Sequence, residues 1–155
     1  MNHRKLIPVL IVTAILLASC APYIVVENKT SFPVRVIVSG GGKSEVVSPT
    51  PGESSSVDMN EGTYKATVIP DAEWIEYAKL TRKVLNDQLA NSDKLTGPQL
   101  LDVIRRLKEI AVRMQQYEQA AASSASCGGR LTEDNSAGLV VVSTSNSGAL
   151  VISCK

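Results

Sequence analysis

FPVRVIVSGGGKSEVV, residues 32–47, decides how the rest of the chain is read. Its centre, Ser39 to Ser44, has the composition of a loop that cradles nucleotide phosphates, and that reading would make the chain an α/β protein. The spacing fails, because such a loop needs a glycine five positions before the Gly-Lys-Ser triplet. Counting back from Gly42 reaches Ile37, inside the apolar run. The context fails too. A phosphate loop opens a helix whose first amides meet the anion, whereas Pro49, Pro51 and Gly52 follow here at once. The stretch reads instead as a β-hairpin. Val34, Val36 and Val38 share one face with Arg35 on the other, and the glycines supply the positive φ of a tight tip. No nucleotide is expected to bind.

Working outward, residues 23–69 carry the same period of two. YIVVE is followed by the turn NKTS, and SSSVDM by the turn NEG. In TYKATVI, Tyr64, Ala66 and Val68 alternate with Thr63, Lys65 and Thr67, the pattern of a half-buried antiparallel strand. Asn28-Lys29-Thr30 matches a glycosylation sequon and is read as a turn. Residues 51–68, PGESSSVDMNEGTYKATV, resemble the closing strands of small bacterial immunoglobulin-like or PEGA-like sandwich modules, with Glu61 where those modules often place a proline. The resemblance implies a β-sandwich and no activity.

The period changes to three and four over residues 71–122. Asp71 is the expected N-cap of a first helix with the stripe Trp74, Tyr77, Ala78, Thr81, Val84, Leu85, Gln88 and Leu89. Thr96 and Gln99 form a capping-box pattern for a second helix, with Pro98 in its first turn. Its stripe runs Leu100, Val103, Leu107, Ile110, Met114, Tyr117 and Ala121, and the pairs Asp102–Arg106 and Glu109–Arg113 are expected on its outer face. Joined by the short link NSDK, these helices are expected to form an antiparallel hairpin packed on itself and on the sheet. A partner-facing coiled-coil seam is the alternative. Trp74, Tyr77 and Tyr117 are the candidate contacts for a partner or ligand; for Trp74 and Tyr77 the competing reading is a core anchor.

Residues 123–138 read as a flexible connection. GLVVVST and GALVISC are near-continuous apolar runs broken by Ser145 to Gly148, so residues 137–154 are expected to close the fold as a buried β-hairpin. The fold class expected is α+β: an antiparallel sandwich-like domain, interrupted by a helical hairpin and completed by a C-terminal β-hairpin.

The opening residues give an address. Arg4 and Lys5 precede thirteen uncharged residues, Leu6 to Ala18, a stretch shorter than the roughly 20 that a spanning helix needs and suited to a signal-peptide core. It ends in Leu17-Ala18-Ser19-Cys20, which resembles the bacterial lipobox. That resemblance implies cleavage between Ser19 and Cys20, a diacylglyceryl group on the Cys20 thiol, and often a further acyl chain such as palmitate on the new amino terminus. An incidental cysteine after an ordinary secretory signal is the alternative. Ala21 follows, not the aspartate that resembles an inner-membrane retention signal, so transfer to the outer membrane is expected where the cell has one.

Loss of residues 1–19 would leave a single domain, residues 20–155, of 136 residues with 14 basic and 15 acidic side chains. That balance carries no electrostatic footprint for nucleic acid, and the bilayer contact would run through acylated Cys20 alone. The only histidine, His3, leaves with the leader. Ser-His-Asp and Cys-His catalysis and the common zinc sites are therefore excluded, and neither a metal nor a cofactor is expected. Carboxylates remain, with Asp71, Glu73, Glu76, Glu133 and Asp134 as the nearest clusters. Cys127 and Cys154 are the remaining cysteines, and in an exported chain they are expected to pair.

Two functions stand against each other. One is a membrane-anchored, non-catalytic structural or interaction module with a protein partner. The other is a solute-binding protein or carboxylate enzyme with a cleft between sandwich and helices.

Overall fold

In the computed structural model, residues 21–155 are described, and residues 1–20, with Ser19, Cys20 and the leader, lie outside them. The β-strands are β1 (Tyr23–Asn28), β2 (Val34–Gly40), β3 (Lys43–Val47), β4 (Ser54–Asp58), β5 (Gly62–Pro70), β6 (Ala125–Leu131), β7 (Ala137–Thr144) and β8 (Leu150–Cys154). Between β5 and β6 come α1 (Ala72–Ala90), a single 3₁₀ turn at Ser92–Lys94, and α2 (Gly97–Ala121). Two four-stranded sheets, β4-β1-β7-β8 and β3-β2-β5-β6, face each other. The fold is α+β, with a helical hairpin inserted in a sandwich and a C-terminal β-hairpin closing it.

Alternation places the core. Ile24, Val26, Val34, Val36, Val38, Ala66, Val68, Val140 and Val142 are all fully buried between the sheets, because successive side chains of a strand point to opposite faces. The tip that resembles a phosphate loop joins β2 to β3, with Gly40 opposite Lys43. Gly41 and Gly42 have φ of 57° and 76°, the backbone that a two-residue hairpin turn requires. The Lys43 ammonium donates to the Asp58 carbonyl at 2.5 Å and pairs with Glu45 at 3.3 Å.

Two features depart from the sequence reading. β1 and β7 pair in parallel, Tyr23 opposite Ala137 through Asn28 opposite Val142, while every other pairing is antiparallel. Residues 125–131, expected as flexible connection, form β6 along β5. Their period of two is hidden by Gly128 and Gly129, and the reason for a glycine is steric: a Cβ on Gly129 would lie 2.5 Å from the Tyr64 hydroxyl.

Cys127 of β6 and Cys154 of β8 form a disulfide with Cα atoms 5.7 Å apart. It joins the last strand of one sheet to the last strand of the other, closing one side of the sandwich. In the turn after β1, Asn28 is buried and fully engaged. Its amide donates to the carbonyls of Phe32 and Pro49 at 2.9 Å each, and its carbonyl oxygen accepts from Thr30 N–H and Oγ1. The sequon is a structural turn.

The strands give the molecule two poles. Tyr23 lies beside Asp58 and Ala137, and Gly62 beside Leu131, so the start of the described chain shares one pole with these turns. At the other pole Val34 lies opposite Pro70, and Val68 opposite Ala125. Both helices spring from there.

Candidate functional site

The helices touch the sandwich only near their base. The helical side chains packed with the sandwich core are Trp74 and Ile75 in the first turn of α1 and Tyr117 and Ala120 near the end of α2. Phe32, fully buried in the β1–β2 turn, is the anchor: its ring centroid lies 6.2 Å from Trp74 and 5.7 Å, edge-on, from Tyr117, and Trp74 lies 5.5 Å from Tyr117. Each such pair contributes about 0.5–1.5 kcal/mol beyond area burial. Burial raises the Tyr117 phenol above its ordinary range, the Asp71 carboxylate adding to the effect, and burial alone raises Tyr64.

Beyond this joint the hairpin packs on itself. Ala78 and Leu85 of α1 and Val103 and Met114 of α2 are buried, whereas Leu100, Leu107 and Ile110 are half-buried and Ala121 is exposed. Ala120, not Ala121, enters the core, because three residues after Tyr117 the helix points to the sandwich and after four it has turned past it. Asp71 caps α1 by accepting from the Glu73 N–H at 3.1 Å, and Gln99 reaches back to the Thr96 N–H at 2.9 Å. Both capping patterns read from the sequence are present.

A groove runs along one seam between the helices. Trp74, Tyr77, Thr81 and Leu85 of α1 and Arg106, Glu109, Ile110 and Arg113 of α2 line one hollow of about 190 Å³. A second of about 400 Å³ continues past Arg106 to Val103, Leu95 and Pro98. Tyr77, in the first hollow, is 66% exposed; Leu80 and Val84 are 66% and 56% exposed, Val84 beside a separate hollow with Asp87, Gln88, Asn91, Lys94 and Leu95. On α2 one of the two expected ion pairs forms and the other does not. Arg105 takes both Asp102 at 2.6 Å and Glu109 at 2.7 Å. Arg106 makes the expected pair with Asp102 at 3.9 Å, whereas Arg113 makes no ion pair among the described residues.

The candidate contacts therefore separate: Tyr77 is open, Trp74 is half-buried with an edge in the groove, and Tyr117 belongs to the joint. The sequence reading paired Glu109 with Arg113, whereas the structure gives Glu109 to Arg105; its pairing of Asp102 with Arg106 is present.

The acids do not converge. Asp71 and Glu73 flank Arg35 at 3.6 and 3.7 Å, and Glu76 pairs with Lys79 at 2.7 Å. Glu133 and Asp134 lie in the turn between β6 and β7, at the far pole. Among the described residues no group of three His, Cys, Asp or Glu could hold a metal ion. Between sandwich and helices, one hollow among the described residues is lined by Ile69, Pro70, Tyr117 and Ala121 to Ser124, with no carboxylate. Comparison with protein families, with curated proteins and with solved structures finds no match for this chain.

Proposed function

We propose that the chain is an extracytoplasmic bacterial lipoprotein that works as a non-catalytic interaction module, holding a helical arm away from the membrane to which Cys20 fastens it. The observation that carries this reading is the placement of the two ends. Cys20 precedes Pro22 by two residues in the sequence, and the Pro22 carbonyl accepts from the Met59 N–H at the pole opposite the helices. With nine residues in β5 and 25 in α2, an anchor at that pole lets the arm reach up to roughly 60 Å from the bilayer. Two or three acyl chains hold a protein on a membrane stably where one does not. No described helix is long and apolar enough to cross a membrane. The packed joint and the scattered acids favour this reading over an enzyme or solute-binding protein with a cleft between sandwich and helices.

Metabolic labelling with a fatty-acid probe tests the anchor: wild type should be marked and Cys20→Ser should not, and equal labelling of both sinks it. Energy transfer to an acceptor on the bilayer surface tests the geometry. A donor at Asn60 should transfer strongly and one at Asp93, between the helices, weakly. The reverse order would place the arm against the membrane.

A further inference from the structure

A strand of a two-layer sandwich needs apolar side chains on its inner face only. β1 and β7 carry them on both faces at the pole where the described chain begins. Ile24, Val26, Val140 and Val142 point inward and are fully buried, so alternation turns Tyr23, Val25, Ala137 and Leu139 outward. The parallel register sets Tyr23 beside Ala137 and Val25 beside Leu139, and the four side chains make one apolar patch. Tyr23 is 38% exposed, Ala137 is exposed, and Val25 and Leu139 are half-buried. A parallel pair is ordinarily covered on both faces, yet the helical residues that pack on the sandwich do so at the other pole. Farther along β1 the outward residue is Glu27, which lies beside Val141 and pairs with Lys29 at 3.4 Å, and the apolar character of that strand ends there.

We propose that this patch is a lipid-contact site: Tyr23, Val25, Ala137 and Leu139 rest among the headgroups of the bilayer in which acylated Cys20 is anchored. Position names the occupant. Cys20 precedes Tyr23 by three residues, and one of the two between them is Pro22, whose fixed φ stiffens the link. The Pro22 carbonyl is in turn held by the Met59 N–H at 2.8 Å. A chain fastened there keeps this end of the sandwich at the membrane surface. A tyrosine suits that layer, because its ring is apolar while its hydroxyl stays wet. The rim of the patch is balanced, with Asp58 beside Tyr23 and Lys155 bonded through its backbone to Leu139, so the contact favours neither sign of lipid charge.

The proposal rests on the lipoprotein reading for its anchor, and the test supplies that anchor chemically. All eight strands and both helices lie within residues 21–155, so a chain starting at Cys20 holds the whole described fold. Cys20 is its one free thiol once Cys127 and Cys154 are bonded. Alkylated with a single tetradecyl chain, it should bind membranes only marginally and reversibly, which makes a further contact measurable. The probe is vesicles of phosphatidylcholine and phosphatidylethanolamine, with and without added phosphatidylglycerol. Tyr23→Ser should lower the partition coefficient at least about threefold, equally on both vesicle types, and Tyr23→Phe should keep most of the binding. Val151→Ser, at the other end of the same sheet face, and Tyr77→Ser, on the arm, should change nothing.

Nitroxide-headgroup lipids in nanodiscs read the contact in the unsubstituted chain, independently of how well Tyr23→Ser folds. The amides of Tyr23, Val25, Ala137 and Leu139 should broaden, and those of residues 80–110 should not. Equal partition of wild type and Tyr23→Ser, an effect that needs the anionic lipid, equal losses in the two control variants, or a lipid-free dimer that protects these four amides would overturn the proposal. Absence of fatty-acid labelling in cells would leave the vesicle result standing, because alkylation places the chain whether or not the cell does. Absence of a Tyr23 effect would leave the labelling of Cys20 standing.

Discussion

The sandwich and the arm are made from one chain but bury their apolar residues by different means. In the sandwich, two sheets cover each other and alternate strand residues disappear entirely, among them Val36, Val68 and Val142. In the arm, each helix has only the other to pack against, so one stripe is covered and the flanks are not. Tyr77, Leu80, Val84, Leu89, Leu101, Ile104 and Val112, all helical, make up most of the large exposed apolar residues among those described. Two layers suffice for a sheet, whose apolar residues lie on one plane, but a pair of helices needs a third element before its cylinders are covered. The difference assigns stability to the sandwich and unsatisfied surface to the arm.

That comparison breaks most visibly at the joint. Phe32→Ala removes a fully buried ring and should cost about 3–5 kcal/mol, measured as a lower urea midpoint for sheet and helix signals alike. A loss confined to the helical signal would mean that Phe32 serves the arm and not the sandwich. Replacing Cys127 and Cys154 with serine should lower the stability of the sandwich by about 3–4 kcal/mol in the chain-entropy view of disulfides. Wild type under reducing conditions should melt as the double variant does, and an unchanged melting point would show that the sheets need no covalent closure.

Leu85→Ala should cost about 2–3 kcal/mol and act locally. Hydrogen exchange should quicken through residues 79–112 while the amides of β1, β2 and β5 keep their protection. Equal acceleration in the strands would make arm and sandwich one cooperative unit. The smallest effect is alkaline. Tyr64 and Tyr117 have phenol pKa values raised above the ordinary value of about 10. The stability held by their neutral forms is therefore complete below about pH 10 and is lost as pH rises through the raised values. The slope of stability against pH in that window should flatten in the variant Tyr64→Phe, Tyr117→Phe, and parallel slopes would show that ionisation of these rings is not resisted by the fold.

Much of the architecture was legible because local chemistry and global fold agree. Val34, Val36 and Val38 alternate as a strand must, Gly41 and Gly42 turn as a hairpin tip must, and Asp71 and Gln99 cap the helices that they precede. β6 was not legible, since the glycine at position 129 makes room for a tyrosine far away in sequence, and a glycine read locally signals a loop. On α2 the choice of Arg105 over Arg113 as the partner of Glu109 was equally hidden, because both lie within reach of Glu109 and the local preference for an acid on the N-terminal side of its base favours Arg113.

By itself the sequence determined every element but β6: the period of two before residue 70 and after 136, the period of three and four between, and a pair of cysteines to close the sheets. These follow from neighbours along the chain, where side-chain direction is dictated by backbone period. Tertiary structure alone decided the parallel pairing of β1 with β7, the opposite poles of Tyr23 and the helices, and the groove between Tyr77 and Arg113. Those depend on which distant surfaces meet, and strand order and helix contact are set by the burial of whole faces, which no local pattern encodes.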